Sequence, residues 1–271
     1  MMGSPTRWVA GFWFTLLFAI GICGGQTFAE KRERAAKALA ELRAKAEGGD
    51  AKAQAALGWR YYLGEGVAED FGAALRWYRL AAAQGDARGQ RGLGNCYAQG
   101  NGVKQNDAEG LKWYRLAAAQ GDAEAQHCIA TMYEFGVGVK KDKPEALRWR
   151  RLAVAQNLPV AQYEFGVMYQ HGDGAKKDVA KALEWYRMAA EQDHVPAQCA
   201  LGCLYRDGFG IERDRVESYA WFHLSAATHG LSAKWRDEVA KKMSAPQIAV
   251  AIIRSDKLRA LIDAKAGKIV P

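Results

Sequence analysis

The chain has 271 residues, enough for one or two ordinary domains with a sizeable core. Nine tryptophans, eleven tyrosines, abundant alanine and only six prolines exclude a mostly disordered chain and suit packed helices. The formal charge of +8 is spread along the sequence rather than gathered in a tail, so it points only weakly to an anionic partner.

Residues 1–29 differ from the rest. Arg7 is their one charged residue, and Trp8 to Ile22 is an uncharged apolar run of fifteen. As a helix this run spans about 22 Å, short of the hydrocarbon core of about 30 Å. Gly24, Gly25 and the triplet Thr27-Phe28-Ala29 follow, with small residues placed for cleavage after Ala29. The segment is expected to be an export signal, directing the protein to the periplasm or cell envelope. The alternative is an uncleaved N-terminal membrane anchor. A lipid-modified Cys23 fits less well, because the bulky Ile22 precedes it. Cleavage leaves Cys96, Cys128, Cys199 and Cys203, which an oxidising compartment could pair.

Glu30 to Glu47 reads as one charged, alanine-rich helix, a leading cap over residues 30–49. Beyond it the sequence repeats every 36 residues without a gap. Tryptophan falls at Trp77, Trp113, Trp149, Trp185 and Trp221, and glutamine at Gln54, Gln90, Gln126, Gln162 and Gln198. Glycine falls at Gly64, Gly100, Gly136, Gly172 and Gly208, and again two places later. Five units follow: 50–85, 86–121, 122–157, 158–193 and 194–229.

Each unit carries two helical patterns. In the first, Ala53, Leu57, Gly58 and Tyr61 form one apolar stripe that Gly64 ends. Asp70 then caps a second helix whose buried side is Ala74, Leu75, Trp77, Tyr78, Ala81 and Ala82, and Gly85 stops it. Asn106/Glu109, Asp142/Glu145 and Asp214/Glu217 have capping-box spacing. Small residues let backbones approach, and the tryptophan is expected to close the gap to the neighbouring helix. One unit cannot bury its apolar faces alone, so stacked copies are required. After His229, a helix over about Ser232 to Met243 and another from Ser244 to about Lys265, with Pro246 in its first turn, would close the far end, residues 230–271.

The residues Ala53-Gln54, Leu57-Gly58, Tyr61, Gly64, Gly66-Val67, Asp70, Ala74-Leu75, Trp77-Tyr78, Ala81-Ala82 and Gly85 resemble the Sel-one-like repeat, a relative of tetratricopeptide repeats. The resemblance covers about residues 50–229. It implies an all-α fold, a right-handed α/α solenoid of five repeats with helical caps. It also implies a scaffold for protein–protein interaction rather than an enzyme, with the first helices lining the concave side. Gly89, Gly110, Ala130, Arg150, Ala175 and Ser218 break single columns, and the fifth unit, with Tyr219, Phe222 and Ser225, diverges most.

Columns that change between units are free to specialise. The place of Ala55 reads Ala55, Arg91, His127, Tyr163, Cys199; that of Trp59 reads Trp59, Asn95, Thr131, Val167, Cys203. Trp59, Arg91, Asn95, His127 and Tyr163 are therefore the candidate contacts for a protein or peptide segment. The second helices carry a basic ladder, Arg79, Arg115, Arg151 and Arg187, with Arg76, Lys112 and Arg148 three residues earlier. The ordinary reading is a solvated face paired with acids. The sharper one is contact with an anionic membrane or cell-wall surface. Nucleic acid is not expected of an exported chain.

Catalytic signatures are missing from the sequence. The G-x-G pair joins two helices five times and is a turn, not a phosphate loop. Neither G-x-S-x-G nor H-E-x-x-H occurs. Cys199 and Cys203, with His194 nearby, lack a fourth metal ligand and read as small apolar fillers, so neither metal nor cofactor is expected. A Cys96–Cys128 disulfide stays open. The alternative function, implied by cysteine-rich relatives, is a cell-envelope enzyme acting on β-lactams or peptidoglycan. The chain lacks the S-x-x-K signature for such chemistry.

Overall fold

The computed structural model describes residues 28–267. The expected export segment lies outside them, apart from Phe28 and Ala29. Within them the chain is all-α, with thirteen helices. α1 (Phe28–Glu47) leads. The first helices of the five copies are α2 (Ala51–Leu63), α4 (Ala87–Gln99), α6 (Ala123–Phe135), α8 (Pro159–His171) and α10 (Val195–Asp207). The second helices are α3 (Phe71–Ala83), α5 (Asp107–Ala119), α7 (Lys143–Ala155), α9 (Val179–Ala190) and α11 (Arg215–Ser225). α12 (Gly230–Ala240) and α13 (Ala245–Lys265) follow. Among the described residues no helix is long and apolar enough to cross a membrane. The contacts form two compact units: one runs to Cys96 and includes Asn101–Lys104, and the other holds Tyr97–Gly100 and everything from Gln105.

The turn inside each copy is built by main-chain bonds. Gly64, Gly136, Gly172 and Gly208 take the left-handed conformation that ends the first helix. The chain then returns so that the N–H of the next helix's N-cap residue meets a tyrosine carbonyl. Asp70 bonds Tyr61, Asn106 bonds Tyr97, Asp142 bonds Tyr133, Asp178 bonds Tyr169 and Asp214 bonds Tyr205, at 2.8–3.0 Å. This explains a departure from the capping-box expectation. The side chains of Asn106, Asp142 and Asp214 accept from the backbone N–H of Glu109, Glu145 and Glu217. The reciprocal bond has no donor left, because the tyrosine carbonyl has taken it. The three glutamates hold Lys112, Arg148 and Arg254 instead. The full reciprocal box forms at Ser244 and Gln247, where α13 begins.

The repeated glutamine joins one copy to the last. Gln54, Gln126 and Gln198 are buried, and each side-chain amide donates to a carbonyl eight residues back: Ala46, Ala118 and Ala190. The amide oxygens of Gln54, Gln126 and Gln162 accept from Gln84, Gln156 and Gln192, each at 2.8 Å. The link between copies needs a left-handed residue. Gly85 and Gly121 supply it, and Asn157 and Asp193 replace glycine at the same place with φ of 65° and 63°. Asparagine and aspartate tolerate this region better than most residues. Here they gain a bond as well, since Asn157 and Asp193 accept from Gln162 and Gln198.

The tryptophan column is not the deepest one. Trp77, Trp113, Trp149 and Trp185 are half-buried, and Trp221 alone of the five is fully buried. The next residue goes deeper: Tyr78, Tyr114, Tyr186 and Phe222 are buried. Their rings press on helix backbone that has no side chain. A Cβ added at Gly58 would lie 2.8 Å from the Tyr78 ring, and one at Gly92 2.4 Å. Gly166 has the same relation to Tyr186, and Gly202 to Phe222, each at 2.5 Å. Full burial of such a side chain contributes about 1.5–3 kcal/mol.

The ends are covered by non-repeat helices. In the first unit Leu39, Leu42 and Ala46 of α1 pack with Ala53, Leu57, Tyr61 and Trp77. In the second, Val239 and Ala251 join Tyr219 and Phe222, while Leu258 and Ile262 join the core around Trp221. Arg254–Glu217 and Arg259–Asp193 ion pairs, at 2.6 and 3.0 Å, fix α13 along its length.

Replacing Gly166 by alanine is expected to destabilise the second unit by about 1–3 kcal/mol through overpacking against Tyr186. Ala130→Gly, at the equivalent place of the third copy, is expected to cost only the helix-propensity difference of about 1 kcal/mol. Urea unfolding of both variants checks this, and a stabilising Gly166→Ala would refute the ring-on-backbone account.

Candidate functional site

The first unit presents Trp59, Arg91 and Asn95. Trp59 is 42% exposed, and its ring stacks on Tyr62 with centroids 5.9 Å apart and planes 7° from parallel. Tyr62 in turn meets Phe71 edge-on and leans on Tyr78, and Asn101 donates to its hydroxyl at 3.0 Å. The pair is thus an exposed aromatic surface held from beneath. Arg91 and Asn95 are half-buried on α4.

The second unit presents His127 and Tyr163, and neither is a bare surface group. His127 Nδ1 lies 3.3 Å from Glu164 Oε2. Tyr163 leans on Tyr186 at 5.5 Å and on His194 at 5.2 Å. Burial raises the Tyr163 hydroxyl above its ordinary pKa and lowers that of His194, which favours the uncharged form of both. His194 Nδ1 accepts from the backbone N–H of Ala197 and so caps α10. It is not paired with Cys199 or Cys203. Cys203 packs against the cluster of Tyr219, Phe222, Val239 and Ala251, whereas Cys199 turns to His229 and Ser232. Among the described residues no group of three or more His, Cys, Asp or Glu side chains is placed to hold a metal ion. Among the described residues Cys96, Cys128, Cys199 and Cys203 form no disulfide.

The basic ladder is partly engaged within the fold. Arg115 donates to the Tyr133 hydroxyl at 2.7 Å and Arg187 to that of Tyr205 at 2.8 Å. Three residues earlier, Lys112 and Arg148 pair with Glu109 and Glu145 on their own helices.

The third copy departs from the others in its core. Arg150 stands where Tyr78, Tyr114, Tyr186 and Phe222 stand elsewhere, and it is only 5% exposed. Two carboxylates hold it: its Nε donates to Glu164 at 2.7 Å and one Nη to Glu134. Ala130 and Glu164 occupy the places of the glycines that flank the Tyr78 ring, so a missing ring and its altered bed occur together. Burial opposes charge on Glu164, yet His127 and Arg150 hold its carboxyl below the ordinary value. Burial likewise works against the Arg150 charge, and Glu164 and Glu134 outweigh it.

Beside Arg150 the seam between the third and fourth copies stands open. Elsewhere the second glycine of G-x-G rests on the start of the preceding copy's second helix. A Cβ at Gly102 would meet Phe71, one at Gly138 Asp107 and one at Gly210 Val179, all within 2.9 Å. At Gly174 it would meet Met168 alone. The space left is a cavity of about 260 Å³ lined by Pro144, Leu147, Met168 and Gly174, with Arg150 and Glu134 at its polar end. A Lys143–Asp173 ion pair of 2.9 Å spans its mouth. Sequence reading singled out Ala130 and Arg150 as column breaks but missed Glu134 and Glu164. An arginine in an otherwise aromatic core column was the available signal, since a buried cation needs anions on facing helices.

Arg150→Ala is expected to destabilise the second unit by about 2–4 kcal/mol, because two partly buried carboxylates lose their cation. Combining Arg150→Tyr, Ala130→Gly and Glu164→Ala restores the pattern of the other copies and is expected to equal or exceed the parent in urea unfolding. The acid side has a defined sign. Glu164 titrates below its ordinary 4.5, so its contribution is complete above that pH and is lost as pH falls through the lowered value. Glu164→Gln should therefore flatten the acid limb of the stability curve.

A family model described as Sel1 repeat matches residues 51–86, 87–122, 123–158, 159–194 and 195–227. The chain is 37% identical to a protective antigen present in uropathogenic Escherichia coli strains whose crystal structure displays an SLR fold, with a TM-score of 0.64. That match covers 81% of this chain and 48% of the other, so this chain spans less than half of that relative's length. A Sel1 repeat protein from Oxalobacter formigenes is 35% identical with a TM-score of 0.60, over 68% of this chain and 74% of that one. An immunity protein from Pseudomonas aeruginosa, 19% identical with a TM-score of 0.50 over 78% and 83% of the two chains, shares the fold. No curated protein matches the sequence. The five consecutive matches cover most of the chain and coincide with the five helix pairs, and the chain belongs to the Sel1 repeat family.

Proposed function

We propose that this protein is an exported adaptor that holds a protein segment against the variable positions of its first helices. Sel1 repeat solenoids are typically non-catalytic modules for protein–protein interaction, and the finer reading concerns where this one binds. The observation that carries it is Trp59. An indole 42% exposed, on a column that changes in every copy, is backed by Tyr62, Phe71 and Tyr78. A preorganised aromatic of this kind loses little rotamer entropy on contact, and tryptophan and arginine are enriched among residues that dominate binding energy. Tyr163, between Tyr186 and His194, offers a second supported ring in the other unit. Export is supported by the apolar run Trp8–Ile22 and the small residues that follow it.

An anionic membrane or cell-wall surface is a poorer partner for the basic ladder. Arg115 and Arg187 are bonded to tyrosine hydroxyls, and Lys112 and Arg148 to glutamates.

The test is cross-linked capture from the native envelope, followed by affinity measurement with the captured protein. Trp59→Ala is expected to weaken binding about tenfold or more with unchanged urea unfolding, as befits a dominant contact. Adding Arg91→Ala and Tyr163→Ala should abolish capture. Unchanged capture by the triple variant overturns the reading.

A further inference from the structure

Cys199 faces two residues from beyond the repeats. Its Sγ lies 3.0 Å from Ser232 Oγ and 3.6 Å from His229 Nδ1, and those two atoms are 2.9 Å apart. His229 occupies the N-cap place of α12, yet its ring makes no cap bond to that helix. Ser232 is fully buried one turn later, so its hydroxyl has Cys199 and His229 to bond rather than water. The three atoms form a closed triangle with few protons to share.

Two proton arrangements satisfy that triangle. In the first, the Cys199 thiol donates to Ser232 Oγ, and the Ser232 hydroxyl donates to His229 Nδ1. In the second, protonated His229 Nδ1 donates to Ser232 Oγ, and the Ser232 hydroxyl donates to the Cys199 thiolate. Passing from one to the other moves each proton along an existing contact and shifts no heavy atom. The proton leaving sulfur is handed through Ser232 to an imidazole, as activation of a thiol nucleophile requires.

Burial pushes Cys96 up to about 11 and raises Cys203 too, which keeps both as inert thiols. Cys199 is partly exposed. Cys203 lies one helical turn away, where Cβ atoms sit about 5–6 Å apart, beyond the roughly 3.5–4.5 Å of a disulfide. An adduct on Cys199 therefore has no internal thiol well placed to displace it.

We infer that Cys199 is a site of S-thiolation by small disulfides, with Ser232 and His229 as its positioning and proton-accepting residues. The Cys199 thiolate attacks one sulfur of the disulfide, the old S–S bond breaks and a Cys199–S–S bond forms. The displaced thiolate leaves with the proton that His229 received, so the disulfide is the oxidant and one free thiol is released. This inference does not depend on partner binding by Trp59.

The experiment treats the reduced full chain with oxidised glutathione and follows adducts by peptide mass mapping. Cys199 is expected to be modified about tenfold faster than Cys96 or Cys203. His229→Ala should slow Cys199 about tenfold while leaving urea unfolding unchanged, and added imidazole should restore part of the rate. Ser232→Ala should slow it similarly. The ranking of these three thiols needs no variant. Equal rates at Cys199 and Cys203, or an unchanged rate in His229→Ala, overturn the inference.

Discussion

The first, fourth and fifth copies depend on a flat ring lying against helix backbone that carries no side chain. The ring of Tyr78 meets Gly58 and Gly92 at distances that leave no room for a Cβ, and Tyr186 and Phe222 meet Gly166 and Gly202 in the same way. Close contact over a whole ring face sums many small dispersion terms, and one methyl group in the way forfeits them. Glycine in a helix carries a propensity cost, so its recurrence facing the ring marks where packing outweighs propensity. The half-buried tryptophan beside it then acts as a flank of the joint rather than its centre.

The third copy shows what happens when that constraint is lifted. Without a ring, alanine can stand at 130, and the facing place on the next copy can hold Glu164. Arg150 fills the space with a charge that two carboxylates compensate, and the adjoining seam does not close. A buried ion pair rarely surpasses an apolar core in stability. The third copy thus trades part of the uniform packing for a polar centre and an opening between repeats, the place where this chain is least like a regular array.

Much of the architecture was legible because it is periodic. The helix pairs, the left-handed glycines and the aspartate or asparagine caps of the second helices each recur at 36-residue spacing, and five observations of one pattern average out local noise. The reciprocal capping boxes were misjudged because the competing acceptor, a tyrosine carbonyl nine residues earlier, is a main-chain atom that no residue code reveals. The site was less legible for the opposite reason. Trp59, Arg91, Asn95, His127 and Tyr163 could be placed on a variable face, but their partners are Tyr62, Glu164, Tyr186 and His194 among others, supplied by different columns. Cys199 meets His229 and Ser232 across 30 and 33 residues, at the point where the period ends.

The carbonyl-to-cap bond between the two helices of each copy has an evolutionary consequence. Because it is made of main-chain atoms, the hairpin keeps its register whatever side chains mutate around it. Whole 36-residue cassettes can then be copied or deleted in frame, each arriving with its own internal stitching, while selection rewrites the exposed columns one cassette at a time. The near-verbatim agreement of residues 75–87 with residues 111–123 is the trace such a duplication leaves.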